Sequence, residues 1–153
     1  MTERIPLAYL FPLRILFGVI LVIEGWGKLQ GDWLHGTPLA TSLGNWLAAD
    51  KPYGFFLPFV KVAFAHPKIF GALVTIGELT IGLSLLFGVL TRISSALGAL
   101  MLLSFALGNG QGLAPPGNAL LMCAVCVLFV FAPPGRFLGV DMLLRDRLPR
   151  WMI

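Results

Sequence analysis

The sequence predicts an all-α integral membrane protein: a four-helix bundle with an interfacial or re-entrant segment between its first two helices. Three observations predict it. Of 153 residues, 58% are hydrophobic and only 12% are charged, against about a quarter charged in an ordinary soluble domain. The mean hydropathy is +0.88. Four apolar segments of near-spanning length are separated by clusters of helix breakers. The same arithmetic excludes disorder, which needs low hydrophobicity and many charges. The length suits a single transmembrane domain over residues 1–153.

The first segment, about residues 8–28, holds Arg14 and Glu24 and lacks the small-residue cleavage site of a signal peptide, so it is expected to be a retained helix. The second, about 69–89, is of similar length. At about 1.5 Å per residue, both reach roughly 30 Å, the thickness of the hydrocarbon core. Only Leu90, Thr91 and Arg92 separate the second from the third, about 93–107, so these two are antiparallel neighbours. A Gly-, Asn- and Pro-rich run, 108–117, leads to the fourth segment, about 118–132, which stops at Pro133-Pro134-Gly135. The long connection 29–68 carries Trp33, Trp46, Tyr53, Phe55, Phe56, Phe59 and Phe64. Such aromatics favour the membrane–water interface, and the piece 55–65 is too short to span, so it reads as an interfacial or re-entrant helix. Small residues four apart, Ser84 with Gly88 and Ser94 with Gly98, suit close helix packing.

A net charge of +4 in so apolar a chain points to topology rather than to nucleic acid. Four spans put both termini on one side with Arg4, Arg92, Arg136, Arg145, Arg147 and Arg150. Lys28, Lys51, Lys61 and Lys68 lie on the other. The bias places both termini in the cytoplasm and the aromatic connection outside the inner membrane.

Three charged residues fall within spans, where such groups face the bundle interior or a water-filled cavity. Arg14, Gly18, Leu21, Gly25 and Lys28 share one helical stripe, and Glu24 precedes Lys28 by four, the favourable order for an ion pair. Glu78 lies near mid-span. A carboxyl there is either protonated or paired with a cation, and Arg14, within roughly 8 Å of it in depth, is the expected partner. Glu78 is therefore the leading candidate for a proton-handling or ligand-facing group, with a packing role as the alternative.

Cys123 and Cys126 form a C-x-x-C within the fourth span. They are either ordinary small apolar residues or a dithiol exchanging electrons with a quinone. Two cysteines and two histidines do not supply the four thiolates of an iron–sulfur cluster or an evident haem, flavin or metal site. His35 and His66 stand 31 residues apart in the outer connection, and no nucleotide, nucleophile-elbow or zinc motif is present.

The run Gly77-Glu78-Leu79-Thr80-Ile81-Gly82 through Gly88-Val89-Leu90-Thr91-Arg92 resembles the DoxX family and its DoxD-like branch. So do Leu13-Arg14, Glu24-Gly25-Trp26-Gly27-Lys28-Leu29, Asn118 and the ending Gly135-Arg136-Phe137-Leu138-Gly139-Val140-Asp141. The resemblance implies a four-helix membrane subunit of a thiosulfate:quinone oxidoreductase. It carries Arg14, Glu24, Lys28, Glu78, Arg92 and Asn118 over as family positions. The C-x-x-C matches no part of the family pattern. On this reading Glu78 and Glu24 supply protons, and Arg14, Trp26, Lys28, Lys68, Arg92 and Asn118 bind quinone or substrate, with quinone near Glu78 and Trp26 and an anionic sulfur substrate attracted by Lys28 and Lys68. A partner subunit or a homo-oligomer supplies the electron store this chain lacks. The rival readings are a non-enzymatic scaffold of a redox complex and a dithiol–quinone oxidoreductase working through Cys123 and Cys126.

Overall fold

The computed structural model describes residues 9–110, 119–136, 138–144, 147 and 149. Among them the chain is helical: α1 Leu10–Gln30, α2 Thr37–Ala48, α3 Leu57–Ala65, α4 Pro67–Phe87, α5 Thr91–Gly108, α6 Ala119–Phe131 and the short α7 Val140–Leu143. Three of these, α1, α4 and α5, are long and apolar enough to cross a membrane, while α6 is apolar but has 13 residues. At about 1.5 Å per residue α6 reaches only about 20 Å, less than a full crossing.

Breakers set the ends where composition placed them. Proline at the first turn opens α4, which costs no helical hydrogen bond. Gly88, at φ 68°, closes α4 in the left-handed region that glycine enters freely. The turn 88–90 then reverses the chain into α5. Ser84 Oγ and Ser94 Oγ meet at 2.5 Å beside it, as the small-residue spacing suggested.

Two antiparallel pairs build the bundle: α1 packs mainly on α4, and α5 on α6, with α4 and α5 joining them. The α1–α4 seam is close because it is lined by glycine. A methyl group at Gly82 would stand 2.8 Å from Val22 Cγ2 and 2.9 Å from the Val22 nitrogen, and one at Gly25 would stand 2.9 Å from Leu79 Cγ. Gly82→Ala is therefore expected to push the helices apart and lower stability by about 1–3 kcal/mol, read as a lower midpoint of thermal unfolding in detergent. The core between the pairs holds Phe17, Leu21, Ile81, Leu85, Leu102, Cys126 and Phe129. Phe17 and Phe129 meet edge to face at 6.3 Å between centroids.

The connection 31–66 is more ordered than a single interfacial helix. It folds as a cap at one end of the bundle, containing a 3-10 turn Trp33–His35 and two helices, α2 and α3. The cap has its own small core of Leu39, Leu43, Val60 and Ala63, with Trp33, Trp46 and Phe70 packed around it. It is tied to α5 by a bond from the Tyr53 nitrogen to the Leu107 carbonyl (3.2 Å) and by the Trp46–Phe105 edge contact. α2 escapes a periodicity search for spans because it is short and amphipathic, with only Leu39 and Leu43 fully buried.

Candidate functional site

The glycine seam determines what meets across it. Gly18 faces Gly82 and Leu86, and Gly25 faces Glu78 and Leu79. In this register Lys28, one turn beyond Gly25, reaches Glu78. Its Nζ donates to Glu78 Oε2 at 2.6 Å and to Glu24 Oε2 at 3.4 Å. Glu78 and Lys28 are 6% and 14% exposed at the side chain, while Glu24 is 62% exposed. The ammonium also lies 5.4 Å from the centre of the Trp33 ring, a cation–π contact donated by the cap. The expected Glu24–Lys28 pair is present and is extended inward by one carboxylate.

The pairing of Glu78 with Arg14 is not what forms. Arg14 lies at the opposite end of the bundle, where its guanidinium donates to the carbonyls of Pro134 and Leu138, each at 3.1 Å, and stacks over Phe11. It abuts Gly88, ten residues along α4 from Glu78, or about 15 Å. The expectation assumed level helix ends. Instead α4 begins well beyond the end of α1, because the Trp33–His35 turn folds back onto Gly71. That offset brings Lys28 down to Glu78 and leaves Arg14 below it.

The Arg14 end forms a second polar centre. Asp141 is fully buried and accepts hydrogen bonds from the Leu90 nitrogen (2.6 Å), the Thr91 nitrogen (2.9 Å) and Thr91 Oγ1 (2.6 Å). It satisfies the open N-terminus of α5. Its own nitrogen donates to the Gly88 carbonyl at 2.8 Å. This centre fastens the chain after α6 onto the α4–α5 turn.

The other candidates are spread out. Trp26 is exposed on α1, Lys68 is exposed at the start of α4, and Arg92 is half-buried in the first turn of α5. Asn118 lies outside the described residues. Cys123 and Cys126 are free and buried. Cys123 Sγ lies 3.3 Å from the Ala99 carbonyl, and Cys126 packs against Gly98. Both thiols thus occupy the α5–α6 seam, away from the Lys28 cluster.

One feature of the site is invisible to motif reading. A groove of about 420 Å³ runs between α2, α3, α4 and α5, walled by Trp46, Phe56, Phe59, Phe70, Met101 and Phe105 among other apolar side chains. Its hydroxyls, Thr80 and Ser104, donate to carbonyls of their own helices at 2.7 and 2.8 Å. Neither Glu78 nor Arg14 lines it. Gly77 does, as do Val74 and Ile81, one turn to either side of Glu78 in sequence, so the groove occupies the face of α4 adjoining the buried carboxylate. The aromatic density of 53–70 was its only signal in the sequence.

Three spanning-length apolar helices, a buried carboxylate–ammonium pair and a capping segment define a helical membrane protein. The DoxX family pattern matches residues 9–109, and the chain belongs to that family. The match covers α1 through α5 and includes Arg14, Glu24, Lys28, Glu78 and Arg92. No curated protein and no solved structure matches the chain.

Proposed function

We propose that the chain is a four-span subunit of the inner membrane that binds a quinone in the groove between α2, α3, α4 and α5. There it takes part in oxidising a small sulfur compound such as thiosulfate, with electrons passing to the quinone pool. Both termini face the cytoplasm, and a partner subunit supplies the electron store. This DoxD-like reading is carried by the groove. Ligand pockets of about 300–1,000 Å³ lined by aromatic and aliphatic side chains suit an apolar body, and this one has five aromatic rings on a face that also carries exposed Leu73, Leu97 and Leu100. On the adjoining face of α4, the Glu24–Lys28–Glu78 chain runs from an exposed to a buried carboxylate that stops one residue short of groove-lining Gly77, and supplies a reservoir for the two protons that quinol formation consumes. Trp26 and Arg92 stand away from both places and have no assigned part in it.

A second reading, a non-enzymatic scaffold for a redox complex, has its own support. Arg14, Asp141 and Glu78 are all bonded within the fold, and none of them lines the groove. Ser104→Trp separates the two. It fills the groove without touching the Lys28 cluster, so the quinone reading expects at least tenfold loss of thiosulfate-dependent quinone reduction by the purified complex, with assembly intact. Unchanged turnover leaves the scaffold reading. The dithiol reading requires reagent-accessible thiols. Labelling of Cys123 and Cys126 in folded protein tests it, and inert thiols end it.

A further inference from the structure

The groove between α2, α3, α4 and α5 has a direction. Its walls run from Phe70 to Ile81 on α4 and from Gly108 back to Leu97 on α5. Each stretch rises about 16 Å, or about half of the hydrocarbon core. The antiparallel pairing keeps the two stretches level. Gly77 faces Met101 Sδ at mid-length, while Gly108 packs on Trp46 and Val60 at the cap end, where Phe70 also meets the cap core. A volume of about 420 Å³ over that length makes a slot rather than a chamber. Leu73, Leu97 and Leu100 line the slot and are also strongly exposed on spanning-length helices. The slot is therefore continuous with the surface that faces lipid, and an occupant enters it sideways from the bilayer.

Hydrogen-bonding capacity along the slot is one-sided. No charged side chain lines it, and the Thr80 and Ser104 hydroxyls donate to carbonyls of their own helices. The remaining polar side-chain atom of the walls is Trp46 Nε1, at the cap end. Among the described residues no group accepts from it, and it is not sealed in the interior. The indole fits there because residue 108 is glycine: a methyl group at Gly108 would stand 3.1 Å from Trp46 Cζ3. Phe105 steadies the ring edge to face, at 6.3 Å between centroids.

We infer that the groove holds a long-tailed quinone lengthwise, its head at the cap end accepting a hydrogen bond from Trp46 Nε1 and its tail running toward mid-membrane past Leu73, Leu100 and Leu97. This rests on the quinone reading and adds to it an orientation and the residue that recognises the head. A quinone carbonyl is an acceptor, and burying it without a donor costs free energy that an alkyl chain does not lose. The reversed ligand would set its carbonyls among Ile81, Leu97 and Leu100, where no free donor lines the walls, and would turn its tail toward the water beyond the cap. The head then lies on the cap side of Glu78, toward the Lys28 end of the carboxylate chain, because Gly77 marks mid-groove.

The test uses the full chain in phosphatidylcholine nanodiscs, with empty nanodiscs as the reference. Calorimetry compares decylbenzoquinone with decylbenzene, which has the same ring and tail but no carbonyl. Trp46→Phe keeps an aromatic ring and removes the N–H, so it is expected to weaken decylbenzoquinone binding by about three- to tenfold and leave decylbenzene within twofold. In wild-type protein, decylbenzoquinone carrying a diazirine at its tail end is expected to cross-link on photolysis near Leu97 and Leu100, as read by peptide mass spectrometry. This second measurement stands even if Trp46→Phe loosens the cap. Equal quinone binding by wild type and Ser104→Trp removes the quinone reading, and this inference with it. Quinone binding that Ser104→Trp abolishes overturns the orientation alone if Trp46→Phe leaves it unchanged or if the tail cross-links beside Trp46 and Gly108. Decylbenzene bound as tightly as decylbenzoquinone shows a slot for any apolar chain and overturns the part given to Trp46.

Discussion

Lys28→Met is expected to destabilise the protein by about 3–5 kcal/mol, because it leaves the Glu78 carboxylate buried without its cation. The ammonium is the only group seen to hydrogen-bond Glu78 among the described residues, at 2.6 Å, and it also anchors Trp33 of the cap. Loss therefore spreads from the α1–α4 seam to the cap. Removing both charges in Lys28→Met/Glu78→Leu is expected to recover most of the stability, since a buried pair replaced by apolar groups of similar volume is often neutral. Thermal unfolding of the two single variants and the double variant gives the coupling. The double variant also divides the functional readings: with the fold restored, proton delivery predicts loss of sulfur-dependent quinone reduction, while a packing role predicts that it persists. A double variant as unstable as Lys28→Met would refute the pairing as the source of the loss.

Much of the fold was legible because hydropathy reports directly on the solvent. The spans expected at 8–28, 69–89 and 93–107 differ from α1, α4 and α5 by only a few residues at their ends. The stripe of Arg14, Gly18, Leu21 and Gly25 is indeed the buried face of α1. The cap was only half legible. Aromatic density marked the region of α3, but α2 needs neither a long apolar run nor strong periodicity, since its stability comes from tertiary contact with α3 and α4.

The site was less legible, for a geometric reason. Depth along a helix can be counted from sequence only if the ends of neighbouring helices are level. Here the Trp33–His35 turn packs on Gly71 and offsets α1 from α4, so counting paired Glu78 with Arg14 when the register pairs it with Lys28. Gly18, Gly25 and Gly82 held the information, but which glycines face each other is a property of two helices together. The groove was hidden for the same reason, being assembled from four elements with no shared motif.

Asp141→Ala is expected to be the most damaging change at the Arg14 end, with a loss of about 3–5 kcal/mol, the range for breaking a buried charged network. Three donors lose their acceptor at once: the Leu90 and Thr91 nitrogens and the Thr91 hydroxyl. None can turn to water easily, because Thr91 is fully buried and Asp141 fills the space against Gly135. The carboxylate also lies close enough to act on the Arg14 charge, so its removal leaves an arginine at 1% exposure with less compensation. Asp141→Asn keeps the shape and one acceptor oxygen but presents an amide donor where an acceptor is needed, so its loss is intermediate. Thr91→Val removes a single neutral hydroxyl donor and is expected to cost least, about 1 kcal/mol. The order Ala, Asn, then Val at Thr91 is read from unfolding midpoints in one detergent. Midpoints indistinguishable from wild type in all three variants would show that the segment after α6 does not fasten the α4–α5 turn.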